Sequence, residues 1–394
     1  MSRLWDKGQT IDDLMLAFTV GDDHELDERL VRHDIRASLA HATMLAEAGH
    51  LSSDDLANIT EAFESIGTAH AQGQWHIAQG EEDCHTALEA RLIAAAGDAG
   101  ARIHLGRSRN DQVLAALRLY MLEAASDLVL AATRVADSLD SLADEQGAIR
   151  LPGYTHMQRA MPSSVALWAG GYAAEIRDSI DGLQRIEHRV SRNPLGSAAG
   201  YGTPGCSIDR AATTDALGFR TTQSPVTAVQ LSRGKAEATL VFEIALLMKD
   251  IGRLAADLCL FATTEFAFVR LPESMTTGSS IMPQKRNPDV YELIRARAAR
   301  TPSRVQEIMA LTAGLTSGYH RDLQLIKPPL FAAIDDGLAT LTMMAHAVHE
   351  LHFVKEKTEA AMDPTLDAAE RANRLVLDEG LTFRDAYRRV AADL

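Results

Sequence analysis

The sequence predicts a mainly all-α fold organised around a bundle of long helices, and three observations support this prediction. Five long segments carry apolar residues three and four positions apart, which is the spacing of an amphipathic helix. Almost no segment alternates apolar and polar residues as a half-buried strand does. Aromatic residues make up only 5% of the chain, which fits helices that pack through Leu, Ala and Ile.

The first part of the chain contains patterns for three helices of ordinary length. We expect them over residues 26–48, from about 52 to 71, and from 81–86 to about 96. The second of these begins at Ser52–Ser53–Asp54–Asp55, whose side chains can accept hydrogen bonds from free N–H groups at a helix start. Residues 97–106 are predicted to be a connection between helices.

The long helices follow. Residues 111–146 contain neither Gly nor Pro and are rich in Ala, Leu, Arg and Glu, which favour helices. A helix of that span is roughly 50 Å long at 1.5 Å per residue, which is typical of a long bundle or an oligomer core. The other long helices are expected over residues 163–190, 232–264, 289–315 and 330–351.

Two connections and a tail complete the predicted architecture. Residues 193–225 are rich in Gly, Pro, Ser and Thr, and residues 276–289 form a loop before the fourth long helix. The tail, residues 362–394, is predicted to be two short helices joined at 379–380. The predicted division is an N-terminal helical domain at 1–103, a long-helix bundle domain at 104–353 and a short helical C-terminal domain at 354–394.

Charge and composition exclude several functions. The 39 basic and 54 acidic side chains give a net charge of −15, which disfavours nucleic acid or an anionic membrane as the partner. No stretch of 18 apolar residues is present, so no membrane span is expected. The start, MSRLWDKGQTIDD, lacks the apolar core of a signal peptide, and Cys84, Cys206 and Cys259 form no disulfide or zinc pattern. We therefore expect a cytoplasmic protein.

The segment TTGSSIMPQKRNPDVYE, residues 276–292, is the strongest candidate for chemistry. Its first half is small and hydroxylated, which predicts a mobile loop. Its second half carries Lys285, Arg286 and Asn287, and two cations with an amide suit a carboxylate ligand. The alternative for a Gly-Ser segment of this kind is an ordinary surface loop before a helix.

Three further polar segments carry candidate residues. Arg107, Arg109 and Asn110 precede a predicted helix, whose N-terminus favours anions, although an ordinary capped helix start has the same composition. His156 lies among hydroxyl and amide side chains in YTHMQRAMP, where the alternative is a structural histidine. His85 follows two acids in EDCHT, a pattern that also describes a helix cap with a solvated histidine.

Four motifs in one order resemble a known family. GRSRNDQ, YTHMQRAMP, PLGSAAGYG and GSSIMPQKRNPD are similar to the motifs of the argininosuccinate lyase and δ-crystallin branch of the fumarase/aspartase superfamily. The resemblance extends from about residue 27 to residue 389. Gln284, between Met-Pro and Lys, matches this branch, whereas adenylosuccinate lyases and fumarases tend to have Tyr or Gly there.

The resemblance implies a reaction and the residues that perform it. The reaction is the β-elimination of argininosuccinate to L-arginine and fumarate, the last step of arginine biosynthesis, without a metal or organic cofactor. Removing a proton next to a carboxylate gives a doubly charged aci-carboxylate, which fixed cations and donors must stabilise. Ser279 matches the position of the base in the family. Lys285 and Asn287 match the positions that stabilise the aci-carboxylate. His156 matches the acid/base histidine, and Glu292 would orient it.

The same resemblance implies a binding site and an assembly. The residues that match the family's substrate-binding positions are Asp83, His85, Ser108, Arg109, Asn110, Thr155, Tyr319, Gln324 and Lys327. In this family the motifs come from three subunits of a homotetramer, so the long helices would form its multi-helix core.

Departures from the family pattern keep alternatives open. Gly21–Asp22–Asp23 stands where many relatives have Asn-Asp-Ser, and Ser232–Arg233–Gly234–Lys235 stands where many have Ser-Asp-Arg-Asp. By the resemblance, these segments would face the amine half of the site, and the fumarate half would be intact. One alternative is a sister lyase that releases fumarate from another N-substituted aspartate. A second is a non-catalytic crystallin-like or scaffold protein, which the intact catalytic positions disfavour.

Overall fold

The computed structural model describes residues 12–394, so residues 1–11, which carry most of the segment assessed for a signal peptide, lie outside it. The fold is mainly α-helical, as predicted. The α-helices are, in chain order, α1 (Asp13–Val20), α2 (Asp23–Leu26), α3 (Val31–Glu47), α4 (Ser53–Ala71), α5 (Cys84–Ala96), α6 (Asp98–Arg102), α7 (Arg109–Gln146), α8 (Val165–Arg185), α9 (Glu187–Val190), α10 (Arg210–Leu217), α11 (Ala228–Leu231), α12 (Lys235–Phe261), α13 (Asp289–Thr312), α14 (Lys327–His349), α15 (Lys355–Ala360), α16 (Ala368–Glu379) and α17 (Phe383–Ala392). Among the described helices, none is both long and apolar enough to cross a bilayer.

Within residues 12–394, short strands pair in three places. The pairs are β1 (Arg150–Thr155) with β2 (Gln158–Ser164), antiparallel; β3 (Arg192–Asn193) with β4 (Thr221–Thr222), parallel; and β5 (Val269–Arg270) with β6 (His352–Phe353), antiparallel. The β1–β2 hairpin was not predicted. It occupies the start of the segment expected to be helical from residue 163, so α8 begins only at Val165.

The long helices agree with the sequence pattern to within a few residues. The helix expected over 111–146 is α7, and those expected over 232–264, 289–315 and 330–351 are α12, α13 and α14. Two expected connections were wrong in part, because residues 97–106 contain α6 and residues 193–225 contain α10. The side chain of Asp209 accepts hydrogen bonds from the N–H groups of Ala211 and Ala212, which caps α10 within a segment rich in loop residues.

The chain divides into two compact units. The first contains the chain up to Ser126, Gln184–Phe242 and Ser303–Ile334, and the second contains Asp127–Leu183, Glu243–Pro302 and Asp335–Leu394. Each unit therefore collects three separate parts of the sequence. The three domains expected at 1–103, 104–353 and 354–394 stay a prediction.

The first unit has a core of small and branched side chains. In it α3, α4 and α5 pack against one another, and α10 packs on α3. The buried cluster at one contact consists of Ala37, Ala40, Ala115, Leu119, Leu195, Leu217 and Phe219. Alanines at helix contacts allow close approach of the backbones, which explains why this core needs few aromatic residues.

The second unit is held by close helix contacts and by one aromatic cluster. A Cβ added at Gly337 of α14 would lie 3.0 Å from Leu128 Cδ2 and 3.4 Å from Ile244 Cγ2, so three long helices approach one another there. The ring of Trp168 lies 5.8 Å from that of Phe261 and 5.5 Å from that of Phe353. Such ring pairs stabilise the unit beyond the apolar area that they bury.

The tail forms the helix pair that the sequence predicts. Helix α16 ends at Gly380, whose φ of 70° is left-handed and suits glycine, and Thr382 caps α17. Ala372, Ala386 and Val390 form the buried cluster between these two helices.

Candidate active site

A polar pocket in the first unit gathers most of the predicted binding residues. It lies beside the starts of α5, α7 and α14, and residues from five separate parts of the sequence line it. The predicted residues in its wall are Asp83, His85, Arg109, Asn110, Tyr319, Gln324 and Lys327. Charged side chains of both signs therefore line this pocket.

Lys327 begins α14 at the base of this pocket and is almost fully buried. Its Nζ lies 2.7 Å from Asp27 Oδ1 and 2.9 Å from Asp23 Oδ1. Burial alone would lower the lysine pKa, but the two carboxylates raise it above its ordinary value. Burial raises the pKa of Asp23 to about 6. The charge of Lys327 opposes this rise, and the nearby carboxylate of Asp27 adds to it. The ammonium of Lys327 is therefore already matched by protein carboxylates.

His85 stands in the first turn of α5 and is buried. Its Nδ1 lies 3.1 Å from Asp34 Oδ2, and Gln112 Nε2 donates to both oxygens of Asp34 at 2.9 Å. Burial is the largest influence and lowers the histidine pKa, but the charge and hydrogen bond of Asp34 outweigh it and raise the pKa above 6.5. The structure therefore holds His85 in one orientation and favours its charged form.

Asp83 and Arg109 form an ion pair in the wall of the pocket. Asp83 caps α5 by accepting hydrogen bonds from the N–H and the hydroxyl of Thr86, both at 2.8 Å. Arg109 Nη1 lies 3.4 Å from Asp83 Oδ2 and 3.4 Å from Glu82 Oε2. Burial raises the pKa of Asp83, but His85, Arg109 and the donors of Thr86 together hold it below its ordinary value.

Ser108, together with Asn110 and Gln324 from the wall, makes hydrogen bonds at the turns that carry the pocket. The N–H of Ser108 donates to Asp111 Oδ1 at 3.0 Å, and Ser108 Oγ accepts from the N–H of Asn110 at 3.3 Å, so both residues help to start α7. Gln324 Nε2 donates to the carbonyl oxygens of Thr19 and Val20 at 3.0 and 3.1 Å. The segment before α2 is thereby tied to the segment before α14.

In the second unit, the predicted catalytic loop is closed at its base. Backbone hydrogen bonds join Thr277 and Asn287 in both directions, at 2.9 and 3.3 Å, and the Thr277 hydroxyl donates to Asp289. Asn287 Nδ2 lies 3.3 Å from Thr277 Oγ1 and 3.4 Å from the carbonyl of Gly278. The segment between them is therefore a loop with a fixed stem that leads into α13.

Ser279 is half-buried within this loop. Its Oγ lies 3.2 Å from the backbone N of Met282 and 3.4 Å from that of Ile281, and both N–H groups donate to it. Donors aimed at a hydroxyl oxygen favour its anionic form, because they stabilise the charge that deprotonation leaves. The environment is the kind that a serine base needs.

Lys285, Glu292, Thr155 and His156 are exposed. Lys285 lies on the loop, and Glu292 lies in the first turn of α13. His156 and Met157 form the two-residue turn between β1 and β2 with φ of 52° and 62°, and Thr155 precedes them. Positive φ at two residues with side chains costs energy, and such strain tends to persist at functional positions. Within the described residues, no hydrogen bond joins His156 to Glu292.

One group in the first unit has the donor types of a metal site. Ligand atoms of Asp27, Cys84 and His85 all lie within 4.8 Å of one another, and all three residues are buried. Asp27 already pairs with Lys327, and His85 pairs with Asp34. Burial raises the pKa of the Cys84 thiol well above its ordinary value. Asp27 and His85 of this group therefore each take part in an ion pair, and Cys84 lies between them as a buried thiol.

The pocket also contains residues that were not identified as candidates from the sequence. Asp23 and Asp27 hold Lys327, Glu82 pairs with Arg109, and Arg233 enters the wall. The spacing of Asp23 and Asp27, four residues apart, puts both on one side of a helical segment and was the available signal. Glu82 has a φ of 70°, which no sequence pattern indicates.

Comparison with known proteins identifies close relatives. A family model described as "Lyase" matches residues 6–302. The argininosuccinate lyase of Sorangium cellulosum (strain So ce56) is 44% identical over 392 residues, which cover 100% of this chain and 90% of that protein. The argininosuccinate lyase of Parabacteroides distasonis is 40% identical over 392 residues, covering 100% and 87% of the two chains.

A solved structure shares the fold. EDDS lyase in complex with formate superposes with a TM-score of 0.82 over 97% of this chain and 76% of that chain. The sequences are 23% identical, so this likeness concerns the fold alone.

Proposed function

This chain belongs to the lyase family, within its argininosuccinate lyase branch. We propose that its site eliminates fumarate from argininosuccinate. The chain is a carbon–nitrogen lyase that converts argininosuccinate to L-arginine and fumarate. The observation that carries this function is 44% identity to an argininosuccinate lyase across the whole chain. The residue roles that follow are our proposal, supported by the geometry of each unit.

The reaction begins with removal of a proton from the succinate carbon next to a carboxylate. Ser279 takes this proton in our proposal, because two backbone N–H groups already donate to its Oγ and favour the alkoxide. The electron pair of the C–H bond moves into the adjacent carboxylate and gives the aci-carboxylate. The same electron pair then forms the carbon–carbon double bond of fumarate as the carbon–nitrogen bond breaks.

Lys285 and Asn287 stabilise the charge that builds up on the carboxylate. They lie on the same loop as Ser279, and the Thr277–Asn287 pairing fixes the stem of that loop. Lys285 supplies the cation and Asn287 an amide donor, and both strengthen their contacts as the second negative charge develops. Closure of the loop over substrate would exclude water and strengthen these interactions further.

His156 serves in acid/base work at the departing nitrogen, and Glu292 orients it. The leaving guanidinium nitrogen needs a proton when the carbon–nitrogen bond breaks, so an acid must stand on that side of the substrate. His156 occupies the tip of the β1–β2 hairpin, where its ring is exposed and available to a substrate.

Substrate binding is assigned to the pocket of the first unit and to its borders. Asp83, His85, Arg109, Asn110, Tyr319, Gln324 and Lys327 line this pocket, Ser108 starts α7, and Thr155 precedes His156. We propose that three subunits of a homotetramer contribute these segments to each site. Exposure of His156, Lys285 and Glu292 in the single chain supports this proposal, because a catalytic group needs surroundings that exclude water. We place the enzyme in the cytoplasm, in keeping with three unpaired cysteines.

A direct assay tests the function. Purified protein is mixed with argininosuccinate, fumarate is followed by its ultraviolet absorbance, and arginine is identified by chromatography. We expect both products to form together in equal amounts. If a protein of verified oligomeric state produced neither, the assignment of argininosuccinate as substrate would fail.

A second candidate substrate class has a specific observation in its favour. Arg233 lines the pocket and belongs to the segment Ser232–Lys235, where the sequence departs from the pattern of the family that it resembles. A panel of other N-substituted aspartates separates this candidate from the first. Faster fumarate release from one of them than from argininosuccinate would favour the sister lyase.

A further inference from the structure

The motif PLGSAAGYG, residues 194–202, forms a loop between β3 and α10 in the first unit, and we call it the glycine loop. The loop turns back on itself, because the N–H groups of Gly200 and Gly202 both donate to the carbonyl of Ser197 at 2.9 Å. Ala198 has a φ of 49°, which costs energy for a residue with a side chain. Contacts with neighbouring segments therefore have to stabilise this conformation.

The carboxylate of Asp111 provides such a contact. Asp111 lies in the first turn of α7 and is fully buried. Its Oδ2 accepts a hydrogen bond from the N–H of Ala198 at 2.7 Å, and its Oδ1 accepts one from the N–H of Ser108 at 3.0 Å. The N–H of Gly196 also favours the charged carboxylate. Backbone N–H groups of such a turn form a concave site for an anion, and here the anion is a side chain of the same chain.

The glycine loop also contacts residues beside two walls of the pocket. A Cβ added at Gly200 would lie 3.1 Å from Cγ of Gln230, and Gln230 Nε2 donates to the carbonyl of Asn110 at 3.4 Å. On the other side, a Cβ added at Gly318 would lie 3.4 Å from the hydroxyl of Tyr201. The residue that follows Gly318 lines the pocket. The loop therefore packs between two segments that supply pocket residues.

The charge of Asp111 determines how strongly it holds the loop. Burial raises the pKa of Asp111 to about 6, and the N–H donors of Ser108 and Ala198 and the charge of Arg107 oppose this rise only in part. Among the described residues, the charged groups that face Asp111 are Arg107, before α7, and Arg210, at the start of α10. Both arginines keep their charge near pH 6. A protonated carboxyl group carries a donor and accepts less strongly, so the contact is strongest above pH 6.

We propose that Asp111 is a positioning residue for substrate binding, which fixes the start of α7 against the glycine loop. This inference rests on the proposed function, in which Arg109 and Asn110 contribute to the binding of substrate. Their backbone lies directly before Asp111, inside the turn that its carboxylate closes by accepting from Ser108. Asp111 is fully buried and acts through these neighbours. Its loss should therefore weaken substrate binding more than it slows the chemical step.

The test uses Asp111→Asn, which keeps the size of the side chain but replaces one acceptor oxygen by an amide that donates. Asp209→Asn is the matched control, because Asp209 also accepts from two backbone N–H groups, those of Ala211 and Ala212, but is exposed at the start of α10. We expect Asp111→Asn to raise KM for argininosuccinate about 10-fold at about pH 8, with a smaller change in kcat. The control should keep both constants of the wild type.

The effect should also depend on pH, which a simple packing defect would not produce. At about pH 8 the wild type carries a charged carboxylate and the variant a neutral amide, whereas at about pH 5 both side chains are neutral. The ratio of the two KM values should therefore fall from about 10 towards 1 as pH decreases through the pKa of Asp111. Asp23 and His85 are present in both proteins, so their titration cancels in the ratio.

Hydrogen exchange followed by mass spectrometry reports on the glycine loop without any substrate. After correction for the intrinsic exchange rate, the wild type should lose protection at residues 194–202 as pH falls below about 6. Asp111→Asn should show this low protection at every pH, and Asp209→Asn should behave as the wild type. The wild-type titration decides this point by itself if Asp111→Asn does not fold.

Three results would overturn the proposal. They are a ratio of KM values that does not change with pH, a fall in kcat at unchanged KM, and protection of the glycine loop that is independent of pH in the wild type. Fumarate release from argininosuccinate by the wild type reports on the proposed function separately, so failure of one inference is not mistaken for failure of the other.

Discussion

Ser279 accepts hydrogen bonds from two backbone N–H groups, and this contact underlies the first prediction. Ser279→Ala removes the base and little else, so we expect kcat to fall by about 10²-fold to 10⁴-fold while substrate binding is retained. The neighbouring Ser280 is exposed and provides the matched control. Steady-state kinetics of Ser279→Ala and Ser280→Ala, with substrate binding measured by calorimetry, make the comparison. Similar turnover in the two variants would remove Ser279 from the role of base.

His85 gives a prediction about pH. Its pKa in the folded protein lies above the ordinary 6.5, because Asp34 outweighs the effect of burial. The stability that this proton contributes is fully present below pH 6.5 and is lost as pH rises through the folded-state pKa. We therefore expect the Tm of the wild type to fall over that interval, and to fall less steeply in His85→Gln.

Thermal scans at a series of pH values above 6 measure these slopes. The slope is compared, rather than the Tm itself, because His85→Gln also removes a buried hydrogen bond. His50→Gln, at an exposed position, is the control and should keep the slope of the wild type. An identical slope in His85→Gln would show that His85 does not carry the pH dependence.

At the scale of one element, the start of α4 shows how a helix end is chosen. The sequence offers four possible caps at residues 52–55, and the structure uses Ser52. Its Oγ accepts from the N–H of Asp55 at 3.0 Å, and Asp55 accepts in return from the N–H of Ser52 at 3.4 Å. This reciprocal pair satisfies two donors that the helix start would otherwise leave free.

Ser52→Ala should therefore lower the free energy of unfolding by about 1 kcal/mol. Ser53→Ala changes the same residue type one position later, inside the helix, where no cap is lost, and should change stability by less than about 0.5 kcal/mol. Denaturant unfolding followed by circular dichroism measures both. Equal effects would mean that capping does not decide where α4 begins.

Helices and strands also differ in how well they can be predicted from the sequence. The long helices were predictable because each repeats its apolar spacing over many turns, as α7 does from Arg109 to Gln146. The β1–β2 hairpin was not, because its strands are short and contain Pro152 and Pro162. Pairing with a neighbouring strand, rather than local propensity, determines such a segment.

At the scale of the whole molecule, the proposed sharing of each site among subunits can be tested by complementation. Ser279 and Arg109 belong to motifs that different subunits would contribute. When Ser279→Ala and Arg109→Met are co-expressed, about one site in four should then receive both native residues, so about a quarter of wild-type activity should return. Each variant alone should stay near background.

The matched control pairs Ser279→Ala with Lys285→Ala. Both residues lie on one loop of one subunit, so no hybrid site can contain both native side chains, and activity should not return. Light scattering establishes the size of each assembly. Recovery in the control, or none in the first pair, would contradict the sharing of sites.

The sequence by itself determined the fold class, the long helices and the family. These depend on local and repeated features: apolar spacing, caps such as Ser52, and unbroken motifs such as GSSIMPQKRNPD. Their information lies within neighbouring residues, so no tertiary contact is needed to identify them. The polar environment of Ser279 is an intermediate case, because its donors, Ile281 and Met282, lie two and three residues away.

Only the tertiary structure decided which charges meet. Lys327 pairs with Asp23 and Asp27 from the other end of the chain, and buried Arg233 pairs with buried Glu237. Burial and distance set the strength of such interactions, and both depend on how segments far apart in sequence pack. The sequence identified most of the charged residues of the site, whereas their packing determined which of them pair with one another.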